Sequence, residues 1–353
     1  MSMIEDYLRS MYLRKGSDLH VVAGDPPRMR VHGDLLELDN RPLDNNELGE
    51  ALTAIMTQAS QDQFARHDAA DFAHEIPEFA RFRVNVFRHL NGVGAVFRSI
   101  PSKALTLEEL QMPPVIRSLT AANRGLVLVT GKTGSGKSTT LAAMIDAIND
   151  RIHGHILTVE DPIEFVHERK GCLISQREIG VHSASFADAL HSALREDPDV
   201  ILVGELRDLE TMSIAVTAAE TGILVMGTLH TNGAAATVDR VVNIFPADKQ
   251  DHIRNMLSTS LRGVVSQQLL KTKDGAGRVA ALEILINNSA VGNLIRQGKL
   301  DQLENVMQSS GSVGMQTMDG AIQTLFDRRL ISGLEAYRQA IDKSKFERYK
   351  DSA

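Results

Sequence analysis

The chain has 353 residues, of which 43% are hydrophobic and 24% charged, and its formal net charge is −7. This composition is typical of a globular protein with a sizeable core, and at about 150 residues per domain the length suggests two domains. The negative charge disfavours a general nucleic-acid binder, and an aromatic content of 4% without tryptophan disfavours a stacking platform for single strands.

Cysteine usage and hydrophobicity indicate the compartment. Cys172 is the only cysteine, so neither an intrachain disulfide nor a cysteine-based zinc cluster can form, and a reducing cytoplasm is expected. Residues 1–15 lack the apolar core of a signal peptide, and no apolar run approaches the ~18–20 residues that cross a bilayer. We therefore expect a cytoplasmic protein that, if it acts at a membrane, is held there by something else.

The first hundred residues predict a small α+β module. Residues 1–15 are predicted to form a short helix with Ile4, Leu8 and Met11 on one side. The predicted strands are 19–22, 28–31, 35–38, 70–76, 81–89 and 94–100, and the predicted helices are about 45–57 and 59–66. Residues 101–114 carry three prolines and indicate a linker between a domain of residues 1–100 and a second domain of residues 115–353.

Three arginines lie on two of these strands. In 81–89, apolar residues alternate with Arg81 and Arg83, so both arginines share one face, and Arg98 lies in the next strand. Arginine forks suit phosphate oxygens, and an arginine delivered across an interface can stabilise transition-state charge. A solvated strand face would show the same alternation, and periodicity alone does not separate the two interpretations.

The strongest motif spans residues 131–139, GKTGSGKST, and matches the phosphate-binding loop G-x-x-x-x-G-K-[ST]. A strand-like run precedes it and an amphipathic helix follows it, which a chance glycine-rich turn would not require. Such a loop turns backbone N–H groups towards an anion, and the helix N-terminus adds partial positive charge. Lys137 can then reach the β- and γ-phosphates of ATP, and Ser138 can ligate Mg²⁺. The predicted nucleotide-binding residues are Thr133, Gly134, Ser135, Gly136, Lys137, Ser138 and Thr139.

Beyond this loop, strands and helices alternate, which predicts an α/β domain with a mostly parallel sheet. The predicted strands are 156–159, 200–203 and 223–229, and the predicted helices are 185–195, with Ser185 and Asp188 as a capping box, and 209–221. From about residue 249 the chain is expected to be mainly helical. Ligands of open α/β sheets bind outside the carboxyl ends of the strands, so residues that follow these strands should line the nucleotide site.

Three side chains follow predicted strands and can carry chemistry. Glu205 has the Walker B position, where a carboxylate can hold Mg²⁺ or orient an attacking water. Residues 160–164 supply three carboxylates, which repel one another unless a cation offsets their charge. Glu164 is the candidate among them for a catalytic role. His230 is the candidate γ-phosphate sensor. Taken singly, these could be a surface acid, a solvated acidic turn and a structural histidine.

Together the motifs resemble the type IV pilus retraction ATPases of the PilT family, within the secretion ATPase superfamily. The resemblance covers roughly residues 4–335. The matching segments are the Walker A motif at 131–139, an Asp box at 160–167 (EDPIEFVH), an atypical Walker B motif at 199–208 (DVILVGELRD), a His box at 228–240 (TLHTNGAAATVDR), and the stretches 17–20 and 314–319. Arg81, Arg83 and Arg98 stand where the family has nucleotide-contacting arginines.

The resemblance implies a homohexameric ring, each subunit with a PAS-like N-terminal domain and a RecA-like motor domain with C-terminal helices. It implies ATP-driven pilus disassembly through an inner-membrane platform protein, at the cytoplasmic face of that membrane, without nucleic acid and without membrane insertion. In the family, the residue matching Glu164 polarises the attacking water. The residue matching Glu205 partners Mg²⁺ and water, and the one matching His230 is the sensor.

One segment departs from the family pattern. The family's C-terminal retraction motif commonly reads AIRNLIRE, whereas residues 290–297 read AVGNLIRQ. Gly292 replaces the first arginine and Gln297 replaces the final acid. This change does not affect the hydrolytic motifs, but it leaves open whether the chain is the main retraction motor or an accessory paralogue beside other motor subunits.

Two other functions stay open. An extension or secretion motor of the same superfamily usually carries an extra N-terminal domain and a tetra-cysteine zinc site, whereas this sequence starts at the small domain and has one cysteine. A nucleotide-binding scaffold subunit of a mixed ring would not need an intact Walker A motif together with Glu164, Glu205 and His230. Pilus withdrawal is therefore the leading hypothesis.

Overall fold

The computed structural model describes residues 3–31, 34–100, 104–275 and 277–350. The chain divides into two compact units, Met1–Lys103 and Ala104–Ala353. Each unit combines helices with a single main sheet. In the described ranges we find no helix with both the length and the apolar character that crossing a membrane requires.

The first unit contains a six-stranded antiparallel sheet. Its strands are β1 (Asp18–Val22), β2 (Arg28–Val31), β3 (Asp34–Glu37), β4 (Ala69–Ile76), β5 (Ala80–His89) and β6 (Gly92–Ile100), and its helices are α1 (Met3–Leu13), α2 (Asn45–Ile55) and α3 (Gln58–His67). The strand order is β3-β2-β1-β6-β5-β4.

The predicted elements of this unit are all present, with strand bounds shifted by no more than two residues. The turn of the predicted 28–38 hairpin includes residues 32 and 33, which lie outside the described residues. Apolar side chains at alternate positions of β5 and β6 form the core, where Phe82, Val84 and Phe97 are fully buried. The period-two pattern therefore identified the buried face of this sheet correctly.

The second unit is built on a seven-stranded mixed sheet with the order β13-β12-β7-β11-β10-β8-β9. Its strands are β7 (Gly125–Thr130), β8 (His155–Glu160), β9 (Leu173–Glu178), β10 (Val200–Val203), β11 (Leu224–Leu229), β12 (Leu261–Lys271) and β13 (Arg278–Ile286). Its helices are α4 (Pro114–Thr120), α5 (Lys137–Arg151), α6 (Phe186–Ala193), α7 (Leu209–Thr221), α8 (Ala234–Asn243), α9 (Gln250–Ser260), α10 (Ser289–Gln297), α11 (Leu303–Ser309), α12 (Met318–Asp327) and α13 (Gly333–Gln339).

The central strand β7 shows how this sheet is packed. Leu126 and Leu128 join a core cluster with α6 to α9, whereas Val127 and Val129 join the opposite cluster with α4 and α5. A strand covered on both faces is apolar at every position, as expected for the middle of a parallel sheet. Only the edge pair β12–β13 is antiparallel among the paired strands of this sheet.

The prediction of a mainly helical chain after residue 249 was wrong for β12 and β13. Both faces of β12 are buried, with Val264 in one core cluster and Val265 in the other. Its sequence therefore lacks the alternation that distinguishes a half-buried strand from a helix. The edge strand β9 was not predicted either. The expected C-terminal helices α10 to α13 are present.

The region predicted as a linker is partly packed. Residues 101–103 lie outside the described residues. Ala104 and Leu107 are buried in core clusters of the second unit, and α4 begins at Pro114. The Ser185 side chain caps the N-terminus of α6, as predicted, because the Ser185 hydroxyl accepts from the Asp188 N–H at 3.1 Å.

Candidate active site

Four adjacent parallel strands bring the predicted site residues of the second unit to one edge of its sheet. Strands β7 and β11 pair to their last residues, with Thr130 opposite Leu229, and Val203 at the end of β10 lies opposite residues near the ends of β8 and β11. The phosphate loop leaves β7 at this edge. His230 directly follows β11, and Glu205 lies two residues beyond β10. The Asp box leaves β8 there as well.

The loop between β7 and α5 has the backbone of an anion cradle. Gly134 and Gly136 have φ values of 77° and 88°, which favour glycine because a side chain would be strained there. A Cβ at Gly134 would meet nothing within 4 Å, so this side of the loop is open. The hydroxyl of Ser135 is buried and has no hydrogen-bond partner in the described part of the chain. An orphaned donor at a helix N-terminus fits a phosphate group.

Lys137 lies inside this cradle. Its Nζ donates to the carbonyls of Gly131 at 2.9 Å and Lys132 at 3.2 Å, and only 9% of the residue is exposed. Burial lowers the pKa of the Lys137 ammonium, and the negative charges of Glu205 and Glu164 oppose that shift. Both carboxylates therefore contribute negative charge at the lysine.

Glu205 contacts two basic side chains. Its Oε1 lies 3.3 Å from Nε2 of His230, and its Oε2 lies 2.7 Å from Nη2 of Arg207. Burial raises the pKa of Glu205, but the hydrogen bond from Arg207 and the charge of His230 outweigh burial and hold the pKa below its usual value. The side chain is 18% exposed. An ionised carboxylate thus faces the edge beside the phosphate loop. Arg207 was not predicted as a site residue.

The three carboxylates of residues 160–164 are not equivalent. Glu160 is 9% exposed and accepts hydrogen bonds from the Thr158 hydroxyl at 2.7 Å and from the Glu164 N–H at 3.3 Å. Burial raises its pKa despite these bonds. Asp161 and Glu164 are exposed at the edge. Glu160 therefore fixes the turn that carries Glu164, and Glu164 remains the acid that can act on a ligand.

The predicted arginines lie in the other unit, on the face of the first sheet opposite its core. Arg83 and Arg98 are cross-strand partners in β5 and β6, and Arg81 is two residues away on the same face. Arg98 Nε donates to Asp18 Oδ1 at 2.8 Å, although its side chain is 69% exposed. Arg83 is exposed. Their contact with a nucleotide stays a prediction.

Gln267 on β12 is a contributor that the sequence did not reveal. It is 2% exposed. Its Nε2 donates to the Ser135 carbonyl at 2.6 Å, and its Oε1 accepts from the Thr140 hydroxyl at 2.7 Å. A Cβ at Gly131 would lie 2.3 Å from the Gln267 carbonyl, so the backbones approach closely. One buried amide thus joins the loop to the first turn of α5. The signal was hidden because β12 was expected to be helical.

The donors at this edge suit Mg²⁺. Among the described residues no group of three or more His, Cys, Asp or Glu side chains is arranged to hold a metal. Mg²⁺ bound with a nucleotide usually takes only one or two protein ligands, because phosphate oxygens and water fill the other positions. The hydroxyl of Ser138, in the first turn of α5, and the carboxylate of Glu205 are a donor pair of this kind.

Comparison with known proteins agrees with this geometry. The family model "Type II/IV secretion system protein" matches residues 1–326. The chain is 53% identical over 324 residues to the type IV pilus retraction ATPase PilT of Pseudomonas aeruginosa, covering 92% of this chain and 94% of that protein. It is also 53% identical over 333 residues to a twitching motility protein of Neisseria gonorrhoeae, covering 94% and 89%.

A solved structure matches the whole chain. The crystal structure of the pilus retraction motor PilT with bound ADP superposes with a TM-score of 0.91 at 42% identity, covering 99% of each chain. One activity, the hydrolysis of ATP, is indicated by the phosphate loop, by the carboxylates beside it and by these relatives. The chain belongs to the PilT family of type IV pilus retraction ATPases, within the type II/IV secretion system proteins.

Proposed function

We propose that this chain is the subunit of a homohexameric motor that hydrolyses ATP to withdraw pilin from a type IV pilus and so powers twitching. Its first unit would be a PAS-like domain, and its second unit would be a RecA-like domain with C-terminal helices. The motor would act at the cytoplasmic face of the inner membrane on a platform protein. The names of the relatives at 53% identity support this proposal.

The residues at the strand edge would divide the chemistry as follows. Residues 133–139 bind the phosphates through backbone N–H groups, with Lys137 against the β- and γ-phosphates. Glu164 polarises the attacking water, and His230 senses the γ-phosphate. Ser138 and Glu205 would hold Mg²⁺, which supplies charge neutralisation at the phosphate oxygens. Arg81, Arg83 and Arg98 would bring further positive charge to the nucleotide.

One observation supports the chemistry of this proposal: the buried Lys137, held by the carbonyls of Gly131 and Lys132, lies at the same strand edge as Glu164 and the Glu205–His230 pair. If Glu164 polarises water, Glu164→Gln should lower kcat for ATP hydrolysis at least ~100-fold, the range of general-base effects, and leave the affinity for ADP unchanged. Glu168→Gln is the matched control, since Glu168 is an exposed acid of the same segment. A Glu164→Gln variant with the kcat of the control would refute the assignment.

A deletion strain tests the cellular role. Cells that lack a retraction motor keep excess surface pili and do not twitch, whereas cells that lack an extension motor are bald. We expect excess pili, and we expect recovery with the wild-type chain and none with Lys137→Ala. The segment 290–297 favours a second candidate, an accessory paralogue. In that case the deletion would leave twitching largely intact while purified protein still hydrolyses ATP.

Assembly is tested separately. The purified chain should have the mass of six subunits in the presence of nucleotide, measured by light scattering behind size exclusion. A monomer at all concentrations would contradict the ring. A well-formed hexamer without ATP turnover would favour the nucleotide-binding scaffold over the motor.

A further inference from the structure

Glu283 is a buried acid at the centre of β13, outside the motifs of the active site. It is 6% exposed. Its Oε1 accepts from the N–H of Ala234 at 2.6 Å, and its Oε2 accepts from the N–H of Met318 at 3.3 Å. These are the first residues of α8 and α12. A single carboxylate therefore joins the N-termini of two helices that are far apart in the sequence.

Side chains of β12 and β13 cap the N-terminus of α8, because its own N-cap residue has no side chain. The N-cap is Gly233, and no side chain of its own caps this end. The capping groups come from Ser266 and Glu283, which lie directly opposite each other in the β12–β13 ladder. The Ser266 hydroxyl accepts from the Gly233 N–H at 2.9 Å, and Glu283 accepts from the next N–H, that of Ala234. Negative charge at a helix N-terminus is favourable.

This cap lies close to the proposed γ-phosphate sensor. His230 precedes Ala234 by four residues, and the Thr231 hydroxyl lies 2.7 Å from that of Thr237 within α8. Thr237 also lies 3.4 Å from Thr130, the last residue before the phosphate loop. His230 therefore lies in the short segment that leads into α8, and Ser266 and Glu283 hold the first N–H groups at the start of that helix.

The other end of the link is the C-terminal helical group, formed by α12 and α13. Gln316, just before α12, pairs with Ile284 through backbone bonds of 2.9 and 3.1 Å. Met318 then packs with residues of α12 and α13 over Leu270 and Ala281. One carboxylate, with the strand that carries it, thus connects the start of α8 to the start of α12.

We propose that Glu283 is a positioning residue that places His230 and ties its movement to helices α12 and α13. This inference rests on the proposed role of His230 at the γ-phosphate. The carboxylate form is required because both groups that face it are N–H donors. An amide at this position keeps the size but offers only one acceptor, so one of the two links is broken.

The test compares full-length variants. Glu283→Gln should lower kcat for ATP at least fivefold while the affinity for ADP, which depends on residues 133–139, stays within twofold of wild type. Glu335→Gln is the matched control. Glu335 is a buried acid of α13 that accepts from the Lys271 N–H at 3.1 Å. The Glu335→Gln substitution should leave kcat unchanged. Equal kcat losses in both variants, or none in Glu283→Gln, would overturn the proposal.

Two further measurements separate positioning from stability. Ser266→Ala removes the neighbouring cap without touching α12, so it should also lower kcat, even if Glu283→Gln does not fold.

Amide hydrogen exchange should change in α8 and α12 together when a non-hydrolysable ATP analogue binds wild type, and in α8 alone in Glu283→Gln. Normal kcat in Ser266→Ala, or an α12 response retained in the variant, would refute the link. A wild-type chain without ATP turnover would instead refute the proposed function.

Discussion

Gln267→Leu tests whether the phosphate loop is preorganised by β12. The substitution keeps a side chain of similar size but removes both the donor to the Ser135 carbonyl and the acceptor for the Thr140 hydroxyl. A buried polar group left without its partner costs about 1–3 kcal/mol, and two such groups remain, so the free energy of unfolding should fall by about 2–6 kcal/mol. A loosened loop should also raise the Kd for ADP roughly tenfold, about 1.4 kcal/mol.

The assay is ADP binding by titration calorimetry at a temperature where the variant stays folded, with urea denaturation in parallel. Gln268→Leu is the matched control, because Gln268 is the next residue on the strand and its side chain points to the other face, where it is partly exposed. The control should change neither quantity by more than about 0.5 kcal/mol. If Gln267→Leu binds ADP as tightly as the control does, the loop does not need this brace and the reasoning fails.

Three further results are expected. Lys137→Ala should abolish ATP hydrolysis in a folded protein, because the charge that holds the phosphates is lost; near-normal phosphate release would contradict the site. Arg81→Ala with Arg83→Ala should slow hydrolysis at least ~tenfold if these arginines stabilise transition-state charge, whereas unchanged turnover would make them a solvated strand face. Gly292→Ala should destabilise the chain by about 1–3 kcal/mol in urea denaturation, since its Cβ would lie 2.8 Å from a backbone carbonyl of α9. The control Gly311→Ala meets nothing within 4 Å and should be neutral.

The Gly292 result bears on the altered retraction motif. In an ordinary helix interior, alanine is more favourable than glycine, so destabilisation at this position would be a packing effect. The close approach of α10 to α9 leaves little room for a side chain at 292. Glycine at position 292 is therefore accompanied by close packing of the two helices, and an arginine placed there would have to move them apart.

Local patterns in the sequence predicted the parts of the site that lie in consecutive residues. The phosphate loop has glycines where the backbone needs positive φ, one buried strand ends two residues before Glu205, and another ends directly before His230. Since parallel strands in one sheet share a carboxyl edge, the meeting of Glu205 with His230 could be expected before the structure was known. Their roles in hydrolysis stay predictions.

The missed features depend on contacts between distant segments. Gln267 and Glu283 lie on β12 and β13, and neither strand has a period-two pattern, because tertiary packing covers both faces. No sequence pattern marked Arg207 as a site residue, apart from its position in a charged loop. Glu160 looked like its neighbours in the acidic cluster, and only burial separates it from Glu164. Sequence periodicity reports burial of one face and cannot identify polar groups enclosed on all sides.

The central claim is that a triphosphate lies over Lys137 with Glu164, Glu205 and His230 around its terminal phosphorus. The most direct measurement is a structure of the full chain with Mg²⁺ and a non-hydrolysable ATP analogue. We predict the Nζ of Lys137 within hydrogen-bond distance of the γ-phosphate and the carboxylate of Glu164 one water away from it. A γ-phosphate bound elsewhere, or Glu164 turned away with no water between them, would contradict the account.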